Sequence, residues 1–227
     1  MRWRDRFRRM LRPAPPDHVR RRQSSNAPAP PEAAREDRLR SQLGEDPNDA
    51  ETFNELAEIV RRRAAEVVPA DPLTAAAEPA SKAKAADTAH WALAEELAGM
   101  PRAWYPLIEM ARLSLDEDRE GAMRRLAAAC DREPDGRALA EGIRMLREAH
   151  LPGEALSLGV GHWAPAHQGA EVGQQVVRAA LEAGRTADAR RHLKDLAEFG
   201  AHDDATDRAV AELEPFVAAA EETPADQ

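Results

Sequence analysis

The chain has 227 residues, with 32 Lys or Arg against 41 Asp or Glu, so its formal net charge is −9. Aromatic residues make up only 4% of the chain, and strand formers are sparse beside the helix formers Ala, Leu, Glu and Arg. This composition excludes an all-β protein and predicts an all-α fold. The single cysteine, Cys130, excludes an internal disulfide and any zinc site built on cysteines.

The N-terminal segment of residues 1–22 is strongly basic. It contains nine Arg against Asp5 and Asp17, a net charge of +7, so the chain total of −9 leaves −16 for the remaining residues. Apolar residues recur at helical spacing within it, and Pro13 ends the pattern. We therefore predict a basic amphipathic arm over residues 1–12. Its apolar face consists of Trp3, Phe7, Met10 and Leu11.

Three functions are open for this arm. It is suited to the interface of an anionic membrane, where Trp and Phe enter the headgroup region and Arg contacts phosphate. Its arginines also suit nucleic-acid phosphates, although no base-reading motif accompanies them. The third alternative is a solvated arm without a ligand. The residues predicted to contact a membrane or polyanion are Arg2, Trp3, Arg4, Arg6, Phe7, Arg8, Arg9 and Arg12.

The predicted location follows from what the apolar segments lack. No stretch reaches the roughly 18 uncharged apolar residues of a membrane span. The first residues also lack the apolar middle of a secretory signal. We therefore predict a cytoplasmic protein, which the basic arm would bring to the inner face of the membrane if the membrane alternative holds.

Three segments are too poor in large apolar residues to fold on their own. Residues 13–35 are rich in Pro, Ala and Ser and are predicted to be a disordered linker. A second such stretch at about 67–86 is predicted to be an inserted surface loop, and residues 221–227 are predicted to be a disordered tail. The body, residues 36–220, is predicted to be one helical domain.

The body contains a repeated pattern of two short helices joined by a turn. It is clearest over residues 170–203, where Gly184 is predicted to end the first helix. Upstream, Ile143 stands 34 residues before Val177, and Ile108 stands a further 35 residues before Ile143. A period near 34 residues is typical of stacked helix-turn-helix repeats. The apolar stripes predicted to face the core are Phe53/Leu56/Ala57, Trp104/Leu107/Ile108, Leu139/Ile143 and Val176/Val177.

Three segments give this repeat a family resemblance: DPNDAETFNELA at 46–57, ACDREPD at 129–135 and EAGRTADA at 182–189. With them, the region from Pro47 to Asp203 resembles the tetratricopeptide repeat family. The resemblance implies antiparallel helix-turn-helix repeats stacked as a short right-handed α-solenoid with a concave groove. A last apolar stripe over 204–220 predicts a C-terminal capping helix.

Helix positions opposite the apolar stripes are predicted to line the groove. Four arginines fall among these positions, and guanidinium forks suit carboxylates, so an acidic peptide or chain terminus is the predicted ligand. The alternative is that these side chains form ordinary solvated helix faces. The residues predicted to bind a partner are Asn54, Glu58, Tyr105, Arg112, Arg144, Arg147, Gln174 and Arg178.

Motifs for catalysis or cofactor binding do not occur in the sequence. There is no Gly-rich phosphate loop, serine elbow or nucleotide fingerprint, and no histidine pair has the spacing of a helical zinc site. His162 and His167 flank Trp163, but ordinary packing and surface roles are favoured for them. Cys130 is predicted to be a buried small hydrophobe. No cofactor and no metal are therefore predicted.

These observations predict a non-enzymatic protein–protein interaction scaffold or adaptor that binds a partner peptide in the groove of its repeats. The basic arm is predicted to tether the scaffold to an anionic membrane surface. The alternative function is a nucleic-acid-associated regulator that uses the Arg-rich arm. An enzyme with a site around Trp163 is a third, less favoured hypothesis.

Overall fold

The structure is a computed structural model of the chain, and it describes residues 31–67, 78–201 and 203–222. The chain divides into two compact units, residues 1–34 and 35–227; of the first unit only residues 31–34 are described. Every regular element in the described ranges is an α-helix, which confirms the predicted all-α fold. The helices are α1 (Pro31–Glu45), α2 (Ala50–Val67), α3 (Glu78–Ala98), α4 (Tyr105–Ser114), α5 (Arg119–Arg132), α6 (Arg137–Glu148), α7 (Pro152–His162), α8 (Ala170–Glu182), α9 (Thr186–Phe199) and α10 (Asp204–Glu222).

Helix boundaries differ from the predicted domain boundaries at three places, one of which is the end of α10 at Glu222, within the predicted tail 221–227. Helix α1 begins at Pro31, within the predicted linker 13–35, and helix α3 begins at Glu78, within the predicted insertion 67–86. Proline is favoured in the first turn of a helix, and helix formers follow it in α1. Leu39 and Leu43, four residues apart, are buried and give α1 an apolar contact that the composition of the segment hides.

Neighbouring helices pack against one another along the second unit. The most extensive contacts join α2 with α3, α4 with α5 and α8 with α9, and they are followed by those of α3 with α4 and α6 with α7. Contacts also join alternate helices, namely α4 with α6, α5 with α7, α6 with α8, and α8 with α10. The predicted stacking of these pairs as a right-handed solenoid of repeats remains a prediction.

The core follows the predicted apolar stripes. Phe53, Ile108, Ile143 and Val177 are all completely buried, and the other stripe residues are buried as well. Many of the remaining core positions are alanines, which allow helix axes to approach closely. The predicted core faces are therefore confirmed.

Two glycines make turns that other residues would adopt only with strain. Gly184 follows α8 with φ +67°, which confirms the helix end predicted there. Gly136 precedes α6 with φ +99°, a turn that the repeat pattern does not predict. Both residues reverse the chain between packed helices.

The turn between α3 and α4 is fixed by two side chains from elsewhere in the chain. The Asn48 side chain accepts hydrogen bonds from the backbone N–H groups of Trp104 (2.7 Å) and Tyr105 (3.1 Å), and it donates to the carbonyl of Arg102 (2.9 Å). Asn48 therefore caps the start of α4 from the turn between α1 and α2.

Arg132, at the end of α5, holds the same turn from the other side. Its guanidinium donates to the carbonyl oxygens of Ala98 (2.9 Å), Met100 (3.3 Å) and Ala103 (2.8 Å). A charged donor thus satisfies three carbonyl groups where α3 ends. These contacts border a cavity of about 370 Å³ lined by charged and polar residues of three turns.

Candidate functional site

The residues predicted to bind a partner lie on the even-numbered helices. Helix α2 carries Asn54 and Glu58, α4 carries Tyr105 and Arg112, α6 carries Arg144 and Arg147, and α8 carries Gln174 and Arg178. Glu58 and Arg144 are exposed, and Gln174 is half-buried. Side-chain hydrogen bonds and ion pairs connect most of this set across neighbouring even-numbered helices.

Each connection joins one even-numbered helix to the next. Arg147 donates to Glu182 at 2.9 and 2.5 Å, and the guanidinium nitrogen of Arg112 lies 3.5 Å from the carboxylate oxygen of Glu141. Two of the ion pairs, Arg147–Glu182 and Arg178–Glu212, join residues 35 and 34 positions apart and match the repeat period, whereas Arg112 and Glu141 are 29 positions apart. We call this set of contacts the polar ladder. It consists of the pairs Asn54–Tyr105, Arg112–Glu141, Arg147–Glu182 and Arg178–Glu212.

The arginines of the predicted groove are therefore paired with the chain's own glutamates. Within α6, Arg144 also forms hydrogen bonds with Glu141 and Glu148. The hydrogen bond with Glu141 raises the pKa of Arg144 above its ordinary value. The sequence pattern does not show that glutamates lie opposite these arginines. It therefore predicts that the arginines are free to bind a ligand. A partner carboxylate would compete with these glutamates for the guanidinium groups.

Tyr105 has a different position from the one predicted. Its side chain is buried rather than exposed, because its ring packs edge-on against Phe53 at 5.5 Å and Trp104 at 5.8 Å. The Asn54 amide donates to the Tyr105 hydroxyl at 3.2 Å, and burial raises the pKa of Tyr105 to about 12. Tyr105 thus belongs to the core, and only its hydroxyl reaches the polar ladder.

A buried polar cluster lies beside the ladder, and no sequence motif indicates it. Arg61 donates to Nδ1 of His90 at 3.2 Å, while Nε2 of His90 faces a carboxylate oxygen of Glu109 at 3.5 Å. Arg112 donates to the same carboxylate at 3.2 Å. Burial lowers the pKa of His90, against the opposing effect of Glu109, so the imidazole is neutral at pH 7. The cluster joins α2, α3 and α4.

The burial of this cluster fits a structural role, although Nε2 of His90 has no hydrogen-bond partner among the described residues. Both nitrogens of His90 face side chains of the chain itself, and His90 and Glu109 are buried. A general base needs a nitrogen that can reach a substrate proton. Within the ranges that the structure describes, no group of three or more His, Cys, Asp or Glu is placed to hold a metal ion.

The Trp163 region contains a histidine that sequence proximity does not indicate. The ring that packs edge-on against Trp163, at 5.6 Å, is that of His192 on α9. His162 is half-buried and His167 is exposed. The side chain of Gln168 is buried and donates to the carbonyl of His162 at 3.3 Å, which holds this loop in place.

Cys130 is the buried residue predicted from its sequence context. It is buried in α5, and burial raises the pKa of its thiol to about 12. The thiolate is the nucleophilic form, so a thiol with this pKa is unreactive at neutral pH. Cys130 is a packing residue.

An apolar pocket lies at the α10 end of the polar ladder, and no sequence pattern predicts it. Its volume is about 360 Å³, and its apolar walls are Leu181, Leu213 and Phe216. Arg178 and Glu212 of the ladder line it as well. Phe216 is 61% exposed. The pocket is formed by α6, α8 and α10, so its residues are brought together only by the fold.

Stability is expected to fall as the pH decreases from about 7.5 to about 5.5. Burial is the main cause that lowers the pKa of both His90 and His192. The unfolded chain therefore binds protons below about 6.5 that the folded chain does not bind. Above the pKa that a histidine has in the unfolded chain, its contribution to the free energy of unfolding is fully present. As the pH falls towards the lower pKa of the folded chain, this contribution is lost at up to about 1.4 kcal/mol per pH unit.

Urea unfolding of the His192→Leu variant at both pH values checks this expectation. In the described part of the chain neither ring nitrogen of His192 has a hydrogen-bond partner; Asp195 is the nearest carboxylate, at 3.7 Å. Leucine should therefore be tolerated at neutral pH, and the loss of stability on acidification should become smaller. The exposed His167, changed to Leu, is the control that should leave the pH dependence unchanged. An equal pH dependence in all three proteins would contradict the assignment.

The basic arm, residues 1–12, lies outside the described residues, and so do its predicted contact residues from Arg2 to Arg12. Among the helices that are described, none combines the length and the apolar character that crossing a membrane requires. Comparisons with protein-family models, curated proteins and solved structures find no match to this chain.

Proposed function

We propose that the chain is a non-enzymatic protein-interaction scaffold that binds a partner peptide across its even-numbered helices. In this proposal α2/α3, α4/α5, α6/α7 and α8/α9 are divergent tetratricopeptide-like repeats stacked as a short solenoid, and α10 is the cap. The basic arm provides peripheral contact with an anionic membrane surface. The contacts between alternate helices α4, α6, α8 and α10 support this arrangement.

The observation that carries the proposal is the polar ladder. Its ion pairs cross from helix to helix, so charged side chains of α4, α6, α8 and α10 are held in fixed positions relative to one another. Because these side chains are already ordered, a peptide loses less free energy in fixing them when it binds. An array of this kind suits an extended or helical peptide better than a small metabolite.

Two arginines of the set are most accessible to a partner. The side chains of Arg144 and Arg178 are 45% and 38% exposed, whereas that of Arg147 is 17% exposed. A peptide carboxylate can replace Glu148 beside Arg144, or Glu212 beside Arg178, because each replacement exchanges one carboxylate for another. The proposed partner is therefore an acidic peptide segment whose carboxylates substitute for these glutamates.

The test is selection of peptides from a displayed library of acidic and neutral sequences by the full-length chain. Acidic peptides should be enriched, and the double variant Arg144→Glu, Arg178→Glu should weaken their binding at least about tenfold, because each change removes a charged hydrogen-bond donor and adds a repulsive charge.

A control uses two arginines of α5 that also form ion pairs and are more exposed than Arg144 and Arg178. Arg124 pairs with Glu120, and Arg119 pairs with Glu154 on α7. The double variant Arg119→Glu, Arg124→Glu makes the same change in net charge and should keep the affinity for the selected peptides. Equal weakening by both double variants would show that only the net charge matters and would contradict binding at the even-numbered helices.

A further inference from the structure

A polar cavity lies where three turns of the second unit meet, and the polar ladder does not use it. It is the cavity of about 370 Å³ beside the turn between α3 and α4. Residues at the α1–α2, α3–α4 and α5–α6 turns line it together. This volume is within the range of about 300–1,000 Å³ found for pockets that bind ligands. The cavity is therefore large enough for a small metabolite.

Two arginines that line this cavity differ from most other arginines of the described helices. Arginines on the helix surfaces commonly pair with a carboxylate of the chain, as in Arg119–Glu154. Arg102 and Arg132 line the cavity, and neither has a carboxylate oxygen within 4.0 Å among the described residues. Arg132 uses only Nη1 to bond the carbonyl oxygens of the α3–α4 turn, so its Nε and Nη2 groups keep their hydrogen-bond donors. Both guanidinium groups therefore have donors for a carboxylate from outside the chain.

Carboxylates without an ion pair border the same cavity. They belong to Glu45, Asp46 and Asp135, and within the described ranges none lies within 4.0 Å of a Lys, Arg or His nitrogen. Asp46 accepts a hydrogen bond from the backbone N–H of Asn48 at 3.0 Å. Charges of both signs thus surround one cavity without pairing with each other, although opposite charges attract. This arrangement suits a ligand that carries both signs of charge and lies between them.

The balance of these charges indicates the charge of the ligand. Arg137 and Glu133 also line the cavity, but they pair with each other at 2.8 Å, and Glu133 is buried. Apart from this pair, the lining has two positive and three negative side chains, a formal excess of one negative charge. A complementary ligand has one anionic group and two cationic groups. A free basic amino acid meets this requirement at neutral pH, with its carboxylate, α-ammonium group and cationic side chain.

The uncharged part of the lining suits the aliphatic stem of such a ligand. Pro47, Trp104 and Pro134 line the cavity beside the charged residues. The methylene groups of lysine and arginine commonly pack along apolar surface while the charged end makes polar contacts. A basic amino acid therefore finds contacts for its stem as well as for its charges.

We propose that this cavity binds a free basic amino acid such as arginine. Arg102 and the Nε and Nη2 groups of Arg132 donate hydrogen bonds to its carboxylate. Its two cationic groups donate hydrogen bonds to Glu45, Asp46 and Asp135. The site is formed by turns and lies apart from the polar ladder, so the proposal does not depend on peptide binding at the even-numbered helices.

Isothermal titration calorimetry of the full-length chain tests the class of ligand, with arginine as the probe. Titration up to about 10 mM covers the weak affinities typical of small ligands. Agmatine lacks the carboxylate, and N-acetylarginine lacks the α-ammonium group and resembles the C-terminal arginine of a polypeptide. Each should bind at least about tenfold more weakly than arginine, because the protein groups that it no longer contacts stay unpaired. Glutamate, which has the opposite net charge, should not bind.

Exposed residues of the cavity provide variants that should fold normally. Arg102→Gln and Asp135→Asn each remove one charge, and each should weaken arginine binding at least about tenfold. Arg38→Gln and Asp207→Asn are the matched controls, because both residues are exposed, have no ion pair among the described residues and do not line the cavity. Both controls should keep the affinity of the parent chain. Circular dichroism of all four variants should match that of the parent chain.

Arg102→Gln also tests how the ligand is oriented. Because agmatine has no carboxylate for Arg102 to bind, this variant should lose most of the preference for arginine over agmatine. Asp135→Asn should weaken both ligands and keep that preference, since Asp135 is assigned to a cationic group. A change in folding cannot produce this difference between the two variants.

Four results would overturn this inference. The first is no binding of arginine up to about 10 mM. The second is agmatine binding as tightly as arginine, which would show that the site responds to positive charge only. The third is N-acetylarginine binding as tightly as arginine, which would assign the cavity to a chain terminus. The fourth is equal weakening by Arg102→Gln and Arg38→Gln, which would place the binding of arginine elsewhere. Selected acidic peptides should bind Arg102→Gln and the parent chain equally, so failure of the two proposals can be told apart.

Discussion

Replacing Arg132 with alanine is expected to lower the free energy of unfolding by about 3 kcal/mol, because hydrogen bonds from a charged donor contribute about 1.5–3 kcal/mol each and neighbouring cavity water compensates only in part. The change removes the guanidinium donor from the carbonyl oxygens of Ala98, Met100 and Ala103, of which Met100 keeps the backbone N–H of Ala103 as a donor. These groups close the end of α3, so the turn into α4 should loosen as well. Urea unfolding measures the loss.

Two further variants separate this effect from the loss of a positive charge. Arg124→Ala removes an exposed arginine of the same helix, whose ion pair with Glu120 should contribute less than about 0.5 kcal/mol. Arg132→Lys keeps the charge but not the planar fork, so it should recover only part of the lost stability. If Arg132→Ala and Arg124→Ala destabilise the chain equally, the role assigned to Arg132 is incorrect.

Replacing Gly136 with alanine is expected to destabilise the chain by about 3 kcal/mol, through strain at positive φ and overpacking together. The residue has φ +99°, and a Cβ atom placed on it would lie 2.6 Å from Cγ2 of Val172 and 3.1 Å from Cβ of Gln168. A Cβ essentially never approaches another atom as closely as 2.6 Å, so α8 or the turn before it must move. Thermal and urea unfolding measure the loss.

Variants of two other glycines separate the effect of backbone strain from that of overpacking. Gly184 has φ +67°, but a Cβ atom added to it would have no neighbouring atom within 4 Å, so Gly184→Ala should cost only the backbone strain, about 1 kcal/mol. Gly153, in the first turn of α7, has neither a left-handed φ nor a close neighbour, so Gly153→Ala should be neutral or slightly stabilising. A different order of the three losses would contradict this interpretation of the turns.

Local features of the fold could be predicted because they depend on residues close in sequence. The stripe through Val176 and Val177 and the stop at Gly184 identify α8 by themselves, and α8 ends where they indicate. The start of α1 at Pro31 could not be predicted in this way. Its flanking composition resembles a linker, and only the burial of Leu39 and Leu43 against other helices explains its stability.

The candidate site could be predicted in its positions but not in its pairing. The helical pattern places Arg147 on the correct face. Its partner Glu182 lies 35 residues later in the chain. The pattern of a single helix does not show which side chains of another helix it contacts. Tyr105 illustrates the same limit. Its spacing fits an exposed stripe, but aromatic contacts with Phe53 draw it into the core.

Photo-crosslinking of the full-length chain tests whether a partner binds across the even-numbered helices. A photoreactive amino acid is placed at Glu58 on α2 or Gln174 on α8, and at Lys194 on α9 or Arg124 on α5 as controls. Each protein is irradiated in an extract of the cells that make it, and mass spectrometry identifies the attached peptides. We predict one acidic segment of a partner protein attached at positions 58 and 174 and absent at 194 and 124. Attachment of that segment at Lys194 or Arg124 alone would contradict binding across the even-numbered helices.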